Sequence, residues 1–160
     1  MNIPQHIAKH FREVYFGGNW TCVNLRDTLT TVTLKQATMQ VNGLNTISVL
    51  VYHMHYYVRA ATKVLQGGPL DAHDKYSFDL PSIATDDEWQ HFLNSIWAEA
   101  ETFAQLVESL PDEKIHEHFT NEKYGAYYRN LHGIIEHAHY HLGQIAIIKK
   151  ITLQSDVTNV

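Results

Sequence analysis

The sequence predicts an all-α fold, with a four-helix bundle as the simplest arrangement of its helices. Four long segments repeat their apolar residues with the period of an α-helix. Strand-like alternation occurs only weakly, over residues 28–41. The length of 160 residues suits one domain, and neither an internal repeat nor a linker divides it. We therefore treat residues 1–160 as a single domain.

The first two predicted long helices flank an ambiguous segment. The first runs from about Pro4, a residue suited to a first helical position, to Tyr15, and two glycines follow it. Residues 20–44 are rich in threonine and β-branched side chains, and they favour at most a short helix over residues 24–29. The second long helix begins after Asn45, which can cap it, and continues to Leu65.

The last two predicted helices follow a long connection over residues 67–84. The sequence from Thr85 to Glu88 matches a capping box and opens the third helix, which Pro111 ends. The fourth helix runs from about residue 126 to residue 153. Helices of this length pack most simply as an antiparallel bundle. The long connection also permits a crossover between the second and third helices.

The composition narrows the classes of partner and the compartment. Lys and Arg number 12 against 17 Asp and Glu, and this acidic balance without a basic cluster disfavours nucleic acid. No apolar run approaches the ~20 residues that cross a membrane, so we expect no membrane partner. The N-terminal residues lack a signal-peptide pattern, which predicts a cytoplasmic protein. The single cysteine, Cys22, excludes an internal disulfide and a cysteine-rich zinc site.

Histidine is unusually frequent, with 12 residues, as many as Lys and Arg together. His137 and His141 lie four residues apart on the fourth helix, a spacing that lets two imidazoles reach one metal ion. With so many histidines, about one such pair is expected by chance. His6 and His10 indeed form a second pair. The choice between these pairs therefore depends on which helix face they occupy.

Helical geometry separates the histidines into two groups. At about 100° per residue, His137 and His141 lie on one flank of the apolar stripe of their helix. His53 has the matching position on the second helix, so it can complete a three-imidazole site if the two stripes pack together. The opposite flanks carry His55, His132 and His139. Three protein ligands leave an open coordination position, as in catalytic rather than structural zinc sites.

The other nine histidines are assigned to the surface. Three of them are the residues on the opposite flanks, and the others are His6, His10, His73, His91, His116 and His118. A histidine taken alone is more often a surface or satisfied core residue than a ligand. Imidazole ligands suit zinc or nickel best, and iron or manganese is the alternative, so the metal is not fixed.

Two further residues adjoin the predicted site. Tyr57, one turn after His53, can orient a substrate or a water, or it can be an aromatic residue at the edge of the bundle. Gln144, on the flank beside His137, can support a ligand, or it can be a solvated glutamine. Glu136 faces away from the predicted ligands, so the sequence identifies no general base.

Two motifs carry the resemblance of this chain to a known family. The run from His137 to Gln144 has the form His-x-x-x-His-x-Gly-Gln. The run from Thr46 to His53 has the form Thr-Ile-x-x-Leu-x-x-His. These motifs resemble the last and second helices of the DinB-like (DinB/YfiT) superfamily, and the resemblance extends nearly end to end.

The resemblance implies a fold, a metal site and a range of activities. It implies an up-down-down-up four-helix bundle in which His53, His137 and His141 bind a divalent metal ion. Members of the superfamily include metal-dependent hydrolases, thiol S-transferases that use low-molecular-weight thiols, and maleylpyruvate isomerases. Many others have no assigned activity, so the resemblance does not select one reaction.

Three functions remain open from the sequence. A metal ion held by neutral imidazoles can support hydrolysis or activate a small thiol for transfer. The third function is a non-catalytic metal-binding interaction module. We expect a small-molecule substrate in a pocket lined by residues 20–42 and 67–84. The aromatic residues Tyr56 and Trp97, predicted to be exposed, leave room for a homodimer.

Overall fold

The fold is all-helical over the residues that are described. The computed structural model describes the backbone of residues 1–158 and the side chains of residues 1–154. This part of the chain contains six α-helices and no β-strand. Their bounds are α1 Ile3–Phe16, α2 Leu25–Leu29, α3 Leu34–Thr38, α4 Ile47–Leu65, α5 Asp86–Glu108 and α6 Tyr127–Thr158. The four long helices α1, α4, α5 and α6 correspond to the four predicted ones.

Side-chain caps explain where three of the long helices begin. Asn2 accepts a hydrogen bond from the backbone of Gln5 and opens α1. Thr85 and Glu88 form the predicted capping box of α5. The cap of α4 is Thr46 and not Asn45, because the Thr46 hydroxyl is the group that accepts from the backbone of Val49.

The ambiguous segment between α1 and α4 is helical where it is regular. The short helix α2 lies where residues 24–29 predicted it. The weak strand pattern over residues 28–41 was misleading, because Thr33 and Gln36 form a capping box that starts α3. Local hydrogen bonds at this cap outweigh the β propensity of the threonines. Trp89 of α5 fixes the segment from the other side, since its indole donates to the backbone oxygen of Val32 at 3.0 Å.

The four long helices share one hydrophobic core. The helices α1 and α4 each pack against both α5 and α6. At the centre, Phe11 of α1 and Phe103 of α5 have fully buried rings with centroids 4.6 Å apart. The contact between α4 and α6 places the predicted histidine-bearing helices side by side.

The connection between α4 and α5 is docked on α4. It contains a short 3-10 helix, Asp74–Tyr76. The backbone N–H of His73 donates to the hydroxyl of Tyr56 at 2.9 Å, which holds the start of this turn against α4. The connection therefore brings its own side chains to the surface of α4 that carries His53.

Two aromatic residues differ from the sequence prediction. Tyr56 and Trp97 are half-buried and not exposed. Tyr56 contacts the connection, and the ring of Trp97 packs edge-on against Phe16. These two residues therefore do not support a homodimer. Among the helices described, none combines the length and the apolarity that crossing a membrane requires.

Candidate metal centre

Three histidines from two helices converge on one point. His53 comes from α4, and His137 and His141 come from successive turns of α6. Nε2 of His137 lies 3.1 Å from Nε2 of His53 and 2.9 Å from Nε2 of His141. All three ligand atoms lie within 4.8 Å of one another, so the group could hold a metal ion. The structure thus brings together the three histidines that the sequence singled out.

The connection between α4 and α5 fixes the tautomer of His53. Nδ1 of His53 lies 2.8 Å from the hydroxyl oxygen of Ser77, which is fully buried. The Ser77 hydroxyl donates its own proton to the backbone oxygen of Asp74 at 2.7 Å. Because that proton is used, Ser77 accepts from Nδ1–H of His53. The lone pair of His53 is therefore on Nε2 and points toward the other two histidines.

Gln144 has the same effect on His141. Its side-chain oxygen lies 2.7 Å from Nδ1 of His141 and accepts the proton there. The lone pair of His141 is thereby also placed on Nε2. Gln144 thus contacts a ligand of the candidate site, and the ligand is His141 although the sequence placed Gln144 beside His137.

The resulting donor set fits a divalent metal ion. The Nε2 lone pairs of His53 and His141 both face Nε2 of His137. This nitrogen carries at most one proton, so it can donate a hydrogen bond to only one of them. In a tetrahedral zinc site with Zn–N bonds of 2.0–2.1 Å, two ligand nitrogens are about 3.3 Å apart. Two of the three separations, 2.9 and 3.1 Å, are close to that value, and all three nitrogens lie within 4.8 Å of one another. A cation at the centre would therefore satisfy nitrogens that hydrogen bonds alone cannot.

The protonation of the three histidines also suits metal binding. Burial lowers the pKa of each imidazole below its ordinary value, and nearby His141 adds to the effect for His53 and His137. The pKa of His137 falls to about 4. All three rings are consequently neutral near pH 7, the form that binds metals.

Aromatic side chains hold the His53 ring in place. Phe78 stacks on it with a centroid distance of 3.9 Å and an interplanar angle of 12°. The ring of Tyr57 meets His53 and His137 edge-on at 5.4 and 5.1 Å. The Tyr57 hydroxyl donates to Oδ1 of Asp74 at 2.6 Å. Tyr57 is thus both a packing residue and a link between α4 and the connection.

A cavity of about 450 Å³ lies against His53 and His137. It is lined mainly by α4 and α6, and Asp74 is its contribution from the connection. Residues 20–42, which the sequence suggested as a lining, take no part in it. Glu136, expected to face away, also lines this cavity. Two carboxylates therefore border the space next to the candidate ligands.

The histidines on the opposite flanks do not join the group. His55 is fully buried, contrary to the surface assignment, and its Nε2–H donates to Glu99 of α5 at 2.8 Å. The ring of His139 lies 5.9 Å from that of His10 on α1. Six other histidines are exposed as predicted, namely His6, His10, His73, His91, His116 and His118.

Sequence reasoning missed the residues that the connection supplies. Ser77, Asp74 and Phe78 lie in an irregular segment, where no periodicity tells which side chain faces a helix. The one available signal was the length of the connection, which suggested a role in the pocket but no particular residue.

Comparison with known proteins identifies no relative of this chain. No family model, curated protein or solved structure matches it. The geometry of the three-histidine group is consequently the basis for assigning a function.

Proposed function

We propose that this protein is a metal-dependent hydrolase of DinB-like type that uses His53, His137 and His141 to bind a divalent metal ion. One observation carries the proposal. Ser77 and Gln144 each occupy an Nδ1, so two Nε2 lone pairs point at a shared centre beside a third imidazole. Three neutral nitrogen ligands beside a cavity are typical of a catalytic site with an open coordination position.

The residues around the site have separable tasks in this proposal. When bound, zinc, nickel or another divalent ion would supply Lewis-acid activation of water and of the substrate. Ser77 and Gln144 hold the ligand rings in their tautomers. Asp74 and Glu136 line the cavity, and either carboxylate can accept a proton from a molecule bound there. Phe78 covers one face of His53 and limits the access of water to it.

The packing of the helices supports the up-down-down-up arrangement as part of the proposal. The helices α4 and α5 are neighbours, yet residues 66–85 separate them in the chain. A segment of this length can return along the whole of α4, whose 19 residues extend about 28 Å. Such a return makes α4 and α5 parallel. A cytoplasmic location and a homodimer remain predictions of the sequence.

Metal binding is the first test. Metal-free protein titrated with Zn²⁺ or Ni²⁺ should bind one ion per chain, measured by competition with a chromophoric chelator. His53→Ala, His137→Ala and His141→Ala should each lower the affinity by about 100-fold or more, since each removes a ligand. His139→Ala is the matched control, because its ring faces His10 instead of the site. Equal effects of all four substitutions would contradict the assignment.

Catalysis is the second test. The zinc-loaded protein should hydrolyse members of a panel of activated esters and amides, and removal of the metal should abolish this activity. Conjugation of a small thiol to an electrophile without hydrolysis would favour the thiol S-transferase alternative. A loaded protein that does neither would leave a metal-binding interaction module, and the hydrolase proposal would be wrong.

A further inference from the structure

The cavity beside the candidate metal centre extends along α6 away from the ligands. Its lining includes His137, Gly133 and Arg129, which follow one another at intervals of four residues. Residues at this spacing share a face of a helix. Eight residues of α-helix correspond to about 12 Å, so Arg129 lies roughly that far along the helix axis from His137. The cavity is therefore a groove with a histidine end and an arginine end.

Gly133 leaves the floor of this groove open. Apart from its two chain neighbours and the local backbone of α6, a Cβ atom added at this position would have no heavy atom within 4 Å. The backbone of Gly133 is helical and its φ is not positive, so neither backbone conformation nor packing requires a glycine there. Glycine inside a helix is destabilising by about 0.5–1 kcal/mol relative to alanine. The one benefit of Gly133 that the structure shows is the open space over this part of α6.

Arg129 is exposed, and a backbone contact orients its side chain while leaving hydrogen-bond donors free. Its side chain passes close to Gly125, since a Cβ at that glycine would lie 3.3 Å from Cδ of Arg129. Its Nη1 donates to the backbone oxygen of Tyr124 at 3.2 Å. A guanidinium carries five N–H donors, so this contact leaves most of them available. Within residues 1–154 its charge meets no carboxylate partner, unlike that of Arg12 or Arg59.

The carboxylates of the groove lie toward its other end. Asp74 accepts from Tyr57, which contacts the rings of His53 and His137. Glu136 lines the cavity next to His137 in the chain, seven residues from Arg129. Asp74 and Glu136 would offset the two positive charges of a divalent ion at the histidine end, whereas no carboxylate within residues 1–154 offsets the charge of Arg129. The charges thus favour one orientation of an elongated anionic molecule.

We propose that the substrate carries a carboxylate that Arg129 binds, with its reacting group at the three-histidine end and its intervening chain lying over Gly133. This inference rests on the proposed function, since it assigns a substrate class to the same site. Arginine and carboxylate form charge-assisted and often bidentate hydrogen bonds, which suits a guanidinium already oriented by a backbone contact. Arg129 is a specificity residue in this scheme, and the chemistry occurs at the far end of the groove.

The test uses hydroxamates, which bind a metal ion through one end. Zinc-loaded protein is titrated calorimetrically with acetohydroxamate, with suberate monohydroxamate and with the methyl ester of suberate monohydroxamate. The long acid should bind about 10-fold more tightly than its ester, because only the acid offers Arg129 a charged partner. In Arg129→Gln this ratio should fall to about 1, with acetohydroxamate unaffected. Lys123→Gln removes an exposed cation outside the groove and should preserve the ratio.

A second substitution tests the path of the chain. Gly133→Leu places a side chain over the floor of the groove, in space that is open in the native protein. It should weaken both long hydroxamates and leave acetohydroxamate unchanged. Leucine has a higher helix propensity than glycine, so the helix should remain stable.

The outcomes separate this inference from the function on which it rests. Absence of zinc binding, or zinc that binds no acetohydroxamate, would overturn the proposed hydrolase site. Normal acetohydroxamate binding with equal affinities for the long acid and its ester would overturn the role of Arg129 alone. The role of Arg129 would also be overturned if Arg129→Gln still bound the long acid more tightly than its ester.

Discussion

At the scale of single residues, the hydrogen bonds on the far side of the imidazoles define the site. A histidine binds a metal through whichever ring nitrogen lacks a proton, and the partner of the other nitrogen decides which one that is. Ser77 keeps the proton of His53 on Nδ1, because the Ser77 hydroxyl donates its own proton to the backbone oxygen of Asp74 and can only accept from the ring. The serine would therefore influence a metal ion bound by His53 without touching it.

Replacing Ser77 should weaken metal binding. We expect Ser77→Ala to lower zinc affinity by about 10- to 100-fold, since the Nδ1–H of His53 loses its acceptor and the ring loses its fixed tautomer. Competition with a chromophoric chelator measures this change. Ser82→Ala, at an exposed position of the same connection, is the control and should bind zinc normally. An unchanged affinity in Ser77→Ala would show that the ring is oriented by packing alone.

At the scale of elements, α4 presents different chemistry on its two sides. His53 and His55 are two residues apart, so their side chains point about 200° apart around the helix. His53 faces α6 and the candidate metal centre, whereas His55 is buried against α5. Glu99 of α5 accepts from both His55 and Arg59. Burial acts to raise the pKa of Glu99, but these two partners outweigh it and lower the pKa to about 2.

Removal of Glu99 should loosen the contact between α4 and α5. Glu99→Ala is expected to lower the free energy of unfolding by about 1–3 kcal/mol, because the buried N–H of His55 loses its acceptor. Glu99→Gln keeps an acceptor oxygen and should have a smaller effect. Urea denaturation of the metal-free protein measures both. If the exposed Glu113→Ala were equally destabilising, the buried hydrogen bond would not be the cause.

At the scale of the whole molecule, folding makes half of the histidines harder to protonate. Burial is the largest cause of a lowered pKa in six of them, namely His53, His55, His132, His137, His139 and His141. The unfolded chain has ordinary histidine pKa values near 6.5. Between about pH 6.5 and pH 4 it therefore binds more protons than the native protein does.

Stability should consequently fall as the pH is lowered. The free energy of unfolding increases with pH wherever the unfolded chain binds more protons, so metal-free protein should lose stability as the pH falls from about 7 to about 5. Urea denaturation across this range measures the slope. Zinc should add stability near neutral pH, and the gain should shrink as protons displace the metal from the histidines. An equal free energy of unfolding of the metal-free protein at the two ends of this pH range would contradict the assignment of neutral histidines in the native protein.

Much of the fold and of the candidate site could be predicted because both depend on local patterns. Apolar periodicity and caps such as Thr85 located the long helices, and the flank positions of His53, His137 and His141 selected three histidines from twelve. The prediction was wrong at Asn45 and missed α3 within the ambiguous residues 28–41, where local hydrogen bonds at Thr46 and Thr33 decide the helix starts.

The helices and the face that each one presents could thus be predicted from the order of the amino acids, since both follow from the 3.6-residue period. Which side chains from irregular segments reach those faces depends on how the folded chain packs. Ser77 and Phe78 contact His53 because the connection folds back on α4, and no period records such a contact. The same holds for Arg129 and Gly133, whose common groove exists only when α6 packs against α4. Local helical geometry therefore predicts the three candidate ligands, and tertiary packing supplies the residues that support them and the groove beside them.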